Sequence, residues 1–89
     1  MKIEFDGAKD AANHVKHGAS LAAAAELEWE TLLAERDVRN DYSETRMIGY
    51  VFGGTRLFCV VYVERGDFRR IISLRKANNR EVERYASNY

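Results

Sequence analysis

Three β-prone runs, Arg46 to Phe52, Leu57 to Glu64 and Phe68 to Lys76, follow one another with only brief gaps between them. Gly53-Gly54 and Gly66-Asp67 fill those gaps with short turn signals. Gaps this short can join only antiparallel neighbours, so the second half of the chain is expected to form a meander. Its last two strands also carry Glu64, Arg69, Ser73 and Arg75 among apolar residues. Alternate side chains of a strand go to opposite faces, so polar groups at that spacing can gather on one side. Arginines with a carboxylate on a sheet face suit binding and cleaving a phosphodiester.

The first half reads differently. Lys2-Ile3-Glu4-Phe5 alternates like a short strand. Asp6 is a good N-cap for a helix over 7–17, and Gly18 a good residue to end it. Ser20 can cap a second helix from Leu21, with Leu21, Ala25, Trp29 and Leu32 along one stripe. Residues 30–34 suit a strand equally well. Glu35 to Thr45 is a polar connection. Asn78 can cap a final short helix, with Glu81 three residues later as its capping-box partner. No proline, repeat or linker interrupts the 89 residues, which read as one domain. The expected fold is α+β: two N-terminal helices, an antiparallel sheet and a short C-terminal helix.

The formal net charge is zero, but it is unevenly spread. Residues 1–63 hold ten acids against seven bases, and residues 64–89 hold seven bases against four acids. The neutral total argues against strong non-specific binding to nucleic acid. The basic C-terminal part remains the candidate for a specific anion site. One cysteine, Cys59, excludes an internal disulfide and a cysteine-based zinc site, and its apolar neighbours predict burial. His14 and His17 can share a helix face, but no third ligand accompanies them, so neither a metal centre nor a cofactor is expected. Met1-Lys2 leads straight into charged residues, and no apolar run approaches the ~20 residues of a membrane span, which predicts a cytoplasmic protein.

With Gly66-Asp67 at the hairpin tip, Arg65 pairs with Phe68, Glu64 with Arg69, Tyr62 with Ile71, Val60 with Ser73 and Phe58 with Arg75. One face then holds Phe58, Val60, Tyr62, Glu64, Arg69, Ile71, Ser73 and Arg75. The other holds Leu57, Cys59, Val61, Val63, Arg70, Ile72 and Leu74. The second face is nearly all apolar and is expected to meet the helices.

Several pieces recur in a shared order: Phe5-Asp6, Lys9, Asn13, Lys16-His17-Gly18, Asp41-Tyr42-Ser43-Glu44, Arg46, Ile48-Gly49, Val61 to Gly66, Arg70 to Ala77, Glu81 and Tyr85. In these the chain resembles the BrnT family of ribonuclease toxins from type II toxin–antitoxin pairs. Leu74 stands where that family usually has Ala, and Ser43 where it often has Gly. The resemblance implies a RelE-like fold and an endoribonuclease that inhibits translation. It also implies an antitoxin partner with a ribbon–helix–helix DNA-binding region, commonly two copies of each, with DNA touched only through the antitoxin. A non-catalytic binding module that partners a DNA-binding repressor is the alternative.

Metal-independent RNA cleavage needs a group to take the 2′-OH proton, a proton for the leaving 5′-oxygen, and cations for the phosphorane. Arg75 and Arg69 are the leading phosphate clamps, since a guanidinium pairs with phosphate oxygens bidentately and stays charged. Arg46 opens the meander and can reach either face. Glu64 is the candidate base, although neighbouring cations lower its basicity. His17 is the alternative acid or base. Lys16, Ser73, Arg65 and Arg70 are candidate substrate contacts. Tyr62 and Tyr85 are candidate stacking platforms for a base. Each has a plainer reading: Arg69 paired with Glu64, His17 and Lys16 completing a helix terminus, and the tyrosines packed in the core.

Overall fold

A computed structural model describes residues 2–39 and 44–88. The elements in order are β1 (Lys2–Phe5), α1 (Gly7–His17), a 3-10 helix (Leu21–Glu26), β2 (Glu28–Arg36), β3 (Met47–Gly53), β4 (Arg56–Arg65), β5 (Phe68–Lys76) and α2 (Asn79–Asn88). They form an α+β arrangement around one five-stranded sheet of order β1-β5-β4-β3-β2. β3, β4 and β5 are the expected meander. β1 runs parallel to β5, so the sheet is mixed rather than antiparallel. A parallel neighbour needs a long crossover, and everything between the two strands supplies it.

The caps of α1 form as the residues dictate. The Asp6 carboxylate accepts from the backbone N–H of Ala8 and Lys9, at 2.8 and 3.2 Å. Gly18 closes the helix at φ 72°, a conformation that costs glycine nothing. The expected second helix is a 3-10 helix of six residues. Its three-residue repeat aligns Leu21 with Ala24, which are both buried, and leaves Ala25 exposed. Trp29 and Leu32 belong instead to β2, where aromatic and β-branched neighbours favour extended chain. Gly49 of β3 admits Leu32 closely: a Cβ there would lie 2.5 Å from its side chain. Part of the Asp41-to-Glu44 motif lies outside the described residues.

The hairpin of β4 and β5 begins in the expected register, with Arg65 opposite Phe68, Glu64 opposite Arg69 and Tyr62 opposite Ile71. It then slips. Val61 faces Ser73, Val60 faces Leu74 and Cys59 faces Arg75, leaving Ile72 as the extra residue of a bulge. The expected face assignment is corrected in two respects. Val60, Tyr62 and Ile71 lie on the core side, joined by Val51, Leu21 and Ala24, while Ile3, Phe5, Trp29, Leu32, Met47 and Phe58 pack around them. Ser73 and Arg75 leave that side at the bulge, and Leu74 enters it, fully buried. A straight strand would have turned Leu74 outward and driven a guanidinium into the core, at a large desolvation cost.

β1 pairs with β5 only as far as Ile71. Beyond it the Asn13 side chain of α1 takes over the edge. Its amide donates to Leu74 O at 2.8 Å and its oxygen accepts from Leu74 N at 3.1 Å, and it also donates to Ala19 O. The end of α1 is thereby laid beside Ser73.

Candidate active site

On the sheet face away from the core, the pairing places Leu33, Tyr50, Cys59 and Arg75 side by side across β2, β3, β4 and β5. Lys16 and His17 approach from the end of α1, Arg39 from beyond β2 and Glu81 from α2. Together with Ile48, Tyr50, Cys59, Val61, Ser73 and Arg75 they line a hollow of about 310 Å³.

Arg75 and Glu81 form its most ordered contact. Nη1 donates to Oε1 at 2.8 Å and Nη2 to Oε2 at 2.9 Å, while Nη1 also donates to Lys76 O at 3.2 Å. Those bonds occupy the end of the guanidinium. Nε–H and one Nη2 hydrogen keep no acceptor among the described residues, and they form the side edge suited to two oxygens of one phosphate. Glu81 is buried and accepts further bonds from Asn78 N and the Tyr50 hydroxyl. With the reciprocal bond from Glu81 N to the Asn78 side chain, the expected capping box of α2 is complete. One carboxylate thus starts a helix and holds an arginine.

The electrostatics follow from these contacts. Hydrogen bonds from Arg75, more than any other cause, bring the Glu81 carboxyl down to about 2. The same bonds raise Arg75 further above its ordinary value, so it stays charged. Burial first, then the charges of Cys59 and Glu81, push the Tyr50 hydroxyl up to about 12. Burial likewise raises the Cys59 thiol, an inert floor to the hollow. Arg39 is anchored to the buried Asp37 carboxylate by two side-chain bonds of 2.9 and 2.8 Å. Lys16 has no ion-pair partner among the described residues.

The sequence candidates are thus divided. Arg75, Ser73, Lys16 and His17 meet in the hollow. Glu64 and Arg69 pair with each other on the core side of the hairpin, where the Arg69 guanidinium lies 4.8 Å from the Trp29 ring centroid and 5.0 Å from that of Tyr62. The expected convergence of Glu64, Arg69 and Arg75 therefore does not occur, because the Ile72 bulge separates them. Arg65 and Arg70 lie beyond the hollow in a carboxylate network, with Arg65 2.6 Å from Glu44 and Arg70 3.8 Å from Glu4. Hydrogen bonding from Arg65 is the first cause that lowers the Glu44 carboxyl, and the charges of Arg70 and Arg46 add to it. Tyr62 packs edge-on against Trp29, and Tyr85 edge-on against Phe52 with its hydroxyl donating to Thr31 O.

Tyr50, Arg39 and Glu81 join the hollow although nothing in their sequence positions alone points there. For Glu81 a signal existed in its capping-box position, but its reach to Arg75 depends on where α2 docks. Tyr50 offered only a strand position on the face opposite the core.

Among the described residues, no helix is long and apolar enough to cross a membrane. A search of curated proteins returns no significant match. A family model for the BrnT ribonuclease toxin of type II toxin–antitoxin systems matches residues 5–81, a span holding Lys16, His17, Tyr50, Ser73, Arg75 and Glu81. The hollow therefore lies within a chain that belongs to the BrnT family of ribonuclease toxins.

Proposed function

We propose that the hollow is the ribonuclease site and that it works without a metal ion. The scissile phosphate sits against the side edge of Arg75, with Lys16 neutralising its other oxygens and the Ser73 hydroxyl donating to it. His17 takes the proton of the 2′-OH as that oxygen attacks phosphorus. The bond to the 5′-oxygen breaks, and Lys16 protonates the departing oxygen, leaving a 2′,3′-cyclic phosphate. Charge stabilisation by one such donor is worth about 10²–10³-fold in rate, and a placed acid or base about 10²–10⁴-fold. Glu81 keeps Arg75 in position and remains ionised throughout. Arg46, Arg65 and Arg70 steer the flanking backbone, while Glu64, Arg69, Tyr62 and Tyr85 take no chemical step in this scheme.

The observation that carries the reading is Arg75 itself, fixed at one end by Glu81 and unbonded along the adjoining edge, in a hollow shared with Lys16 and His17. The test is cleavage of a defined RNA by purified protein in excess chelator, with the products identified by mass. Persistent cleavage yielding cyclic phosphate ends, lost in Arg75→Ala and His17→Ala with the fold intact, is the expected result. Cleavage that stops with chelation and returns with a divalent ion would overturn the metal-free scheme.

Membership in a type II toxin family supports the rest of the reading, namely that an antitoxin partner is present; its details are proposed with it. The fold is RelE-like and forms a single domain. The partner is a ribbon–helix–helix antitoxin in a complex of two copies each, DNA is contacted only through it, and the pair acts in the cytoplasm. Co-expression of toxin and partner, with mass measurement of the purified complex, tests the stoichiometry.

A further inference from the structure

A second depression adjoins the hollow. It lies between β2 and α2, measures about 140 Å³ and is lined by Leu33, Glu35, Tyr50, Arg84, Tyr85 and Asn88 among others. We propose that this cleft is a nucleobase subsite, taking one flat base with a donor-rich edge, guanine foremost, from the RNA strand whose phosphate lies at Arg75. The proposal rests on the reading of the hollow as the phosphate site.

Continuity is the first argument. Tyr50 lines both depressions. Glu35 of the cleft is paired across the strands with Ile48 of the hollow. Tyr50 stands two strands from Arg75, about 10 Å at ordinary strand spacing, within reach of a nucleotide next to the scissile one. Shape is the second. The space suits a single ring system and is too small for a helix or an added strand. Its walls are planar, with the Arg84 guanidinium 5.8 Å from the Tyr50 ring centroid, and unpaired bases stack on aromatic rings and guanidinium planes. Tyr85 is held in place by Phe52 and Thr31, so its wall is pre-formed.

The rim decides which base. Asn88 spends an amide hydrogen on Arg84 O, at 2.8 Å, and its oxygen remains an acceptor. Glu35 is exposed and has no ion-pair partner among the described residues. The Glu35 carboxylate only accepts and the Asn88 oxygen can accept beside it, so donors are favoured at this rim, although Asn88 keeps a second amide hydrogen. Guanine offers N1–H and N2–H₂ along one edge, whereas uracil offers a single N–H between two carbonyls. Arg84, Tyr85 and Asn88 lie beyond the segment matched by the family model, whereas Leu33, Glu35 and Tyr50 lie within it.

Binding of cleavage-resistant 2′-O-methyl trinucleotides, differing only in one base and followed by intrinsic fluorescence, tests this apart from catalysis. The wild type should bind the guanine form about tenfold more tightly than the uracil form, as expected for a hydrogen bond to a charged group. Glu35→Gln, an exposed change that leaves the fold intact, should erase most of that difference. Leu33→Trp, which fills the cleft, should bring all bases to one affinity. Equal affinities in the wild type, as would follow if a protein segment occupied the cleft instead, overturn the proposal. So does a guanine preference that survives Glu35→Gln. Arg75→Ala reports separately on the hollow: it should weaken every trinucleotide alike, and its failure to do so sinks the phosphate site while the base preference is still read.

Discussion

Two of the three arginines on strand β5, Arg69 and Arg75, each donate a hydrogen bond to a glutamate, and the two pairs share little beyond that. Arg69 meets Glu64 directly across the hairpin, its guanidinium against two aromatic rings and its partner's side chain 57% exposed. Arg75 meets Glu81 from another element, bidentately, and that carboxylate is only 9% exposed. The first pair is satisfied and faces the core side. The second leaves half a guanidinium available beside other cations. Residue type does not separate them, and neither does distance along the strand. Because Ile72 takes no place of its own in the ladder, the two fall on opposite sides of the sheet.

The most severe way to break this contrast is to insert one alanine between Leu74 and Arg75. Arg75 would then take the place opposite Phe58 now held by Lys76, on the other side of the sheet from Glu81, and we expect loss of RNA cleavage along with a less stable fold. Next comes the chemistry of the pairs. Arg75→Ala should slow single-turnover cleavage by about 10²–10³-fold, while Arg69→Ala should leave the rate within a few-fold. Comparable losses from the two would place both arginines in the mechanism.

Stability should separate the carboxylates more modestly. Glu81→Ala removes a buried partner and half a capping box, for an expected loss of about 3 kcal/mol in denaturant unfolding. Acid should expose the same contact. The folded Glu81 carboxyl is held at about 2, below its ordinary 4.5. The unfolded chain therefore binds the proton first, so stability is complete above roughly that ordinary value and drains away as pH falls towards the lower one. Glu81→Gln should flatten that part of the pH curve. The smallest effect belongs to Glu64→Ala, at about 0–1 kcal/mol, because an exposed pair is screened by water.

Much of this was readable from local chemistry. Asp6, Gly18, Asn78 and Glu81 announce helix ends because capping involves residues only a few places apart. Gly66-Asp67 sets the hairpin tip for the same reason. The Ile72 bulge was not legible, since apolar residues on both sides of it satisfy either register until the rest of the core is assembled. The alanine-rich stretch from Leu21 favours helix locally, yet Trp29 and Leu32 are drawn into a strand by the sheet they cover. The hollow was half legible: Arg75, Ser73, Lys16 and His17 carry suggestive chemistry, whereas Tyr50 and Arg39 acquire theirs only from who stands beside them. The link from Glu81 to Arg75 depends on the docking of α2, which no spacing rule supplies.

Asn13 offers a last consequence. By imitating a neighbouring strand with one carboxamide, it fastens the helix bearing Lys16 and His17 to the backbone of the residue between Ser73 and Arg75. Thermal wobble of the helix and of the strand must then be largely shared, so the groups around a bound phosphate travel as one jaw. A single buried amide, remote from any reacting atom, fixes the gauge of that jaw.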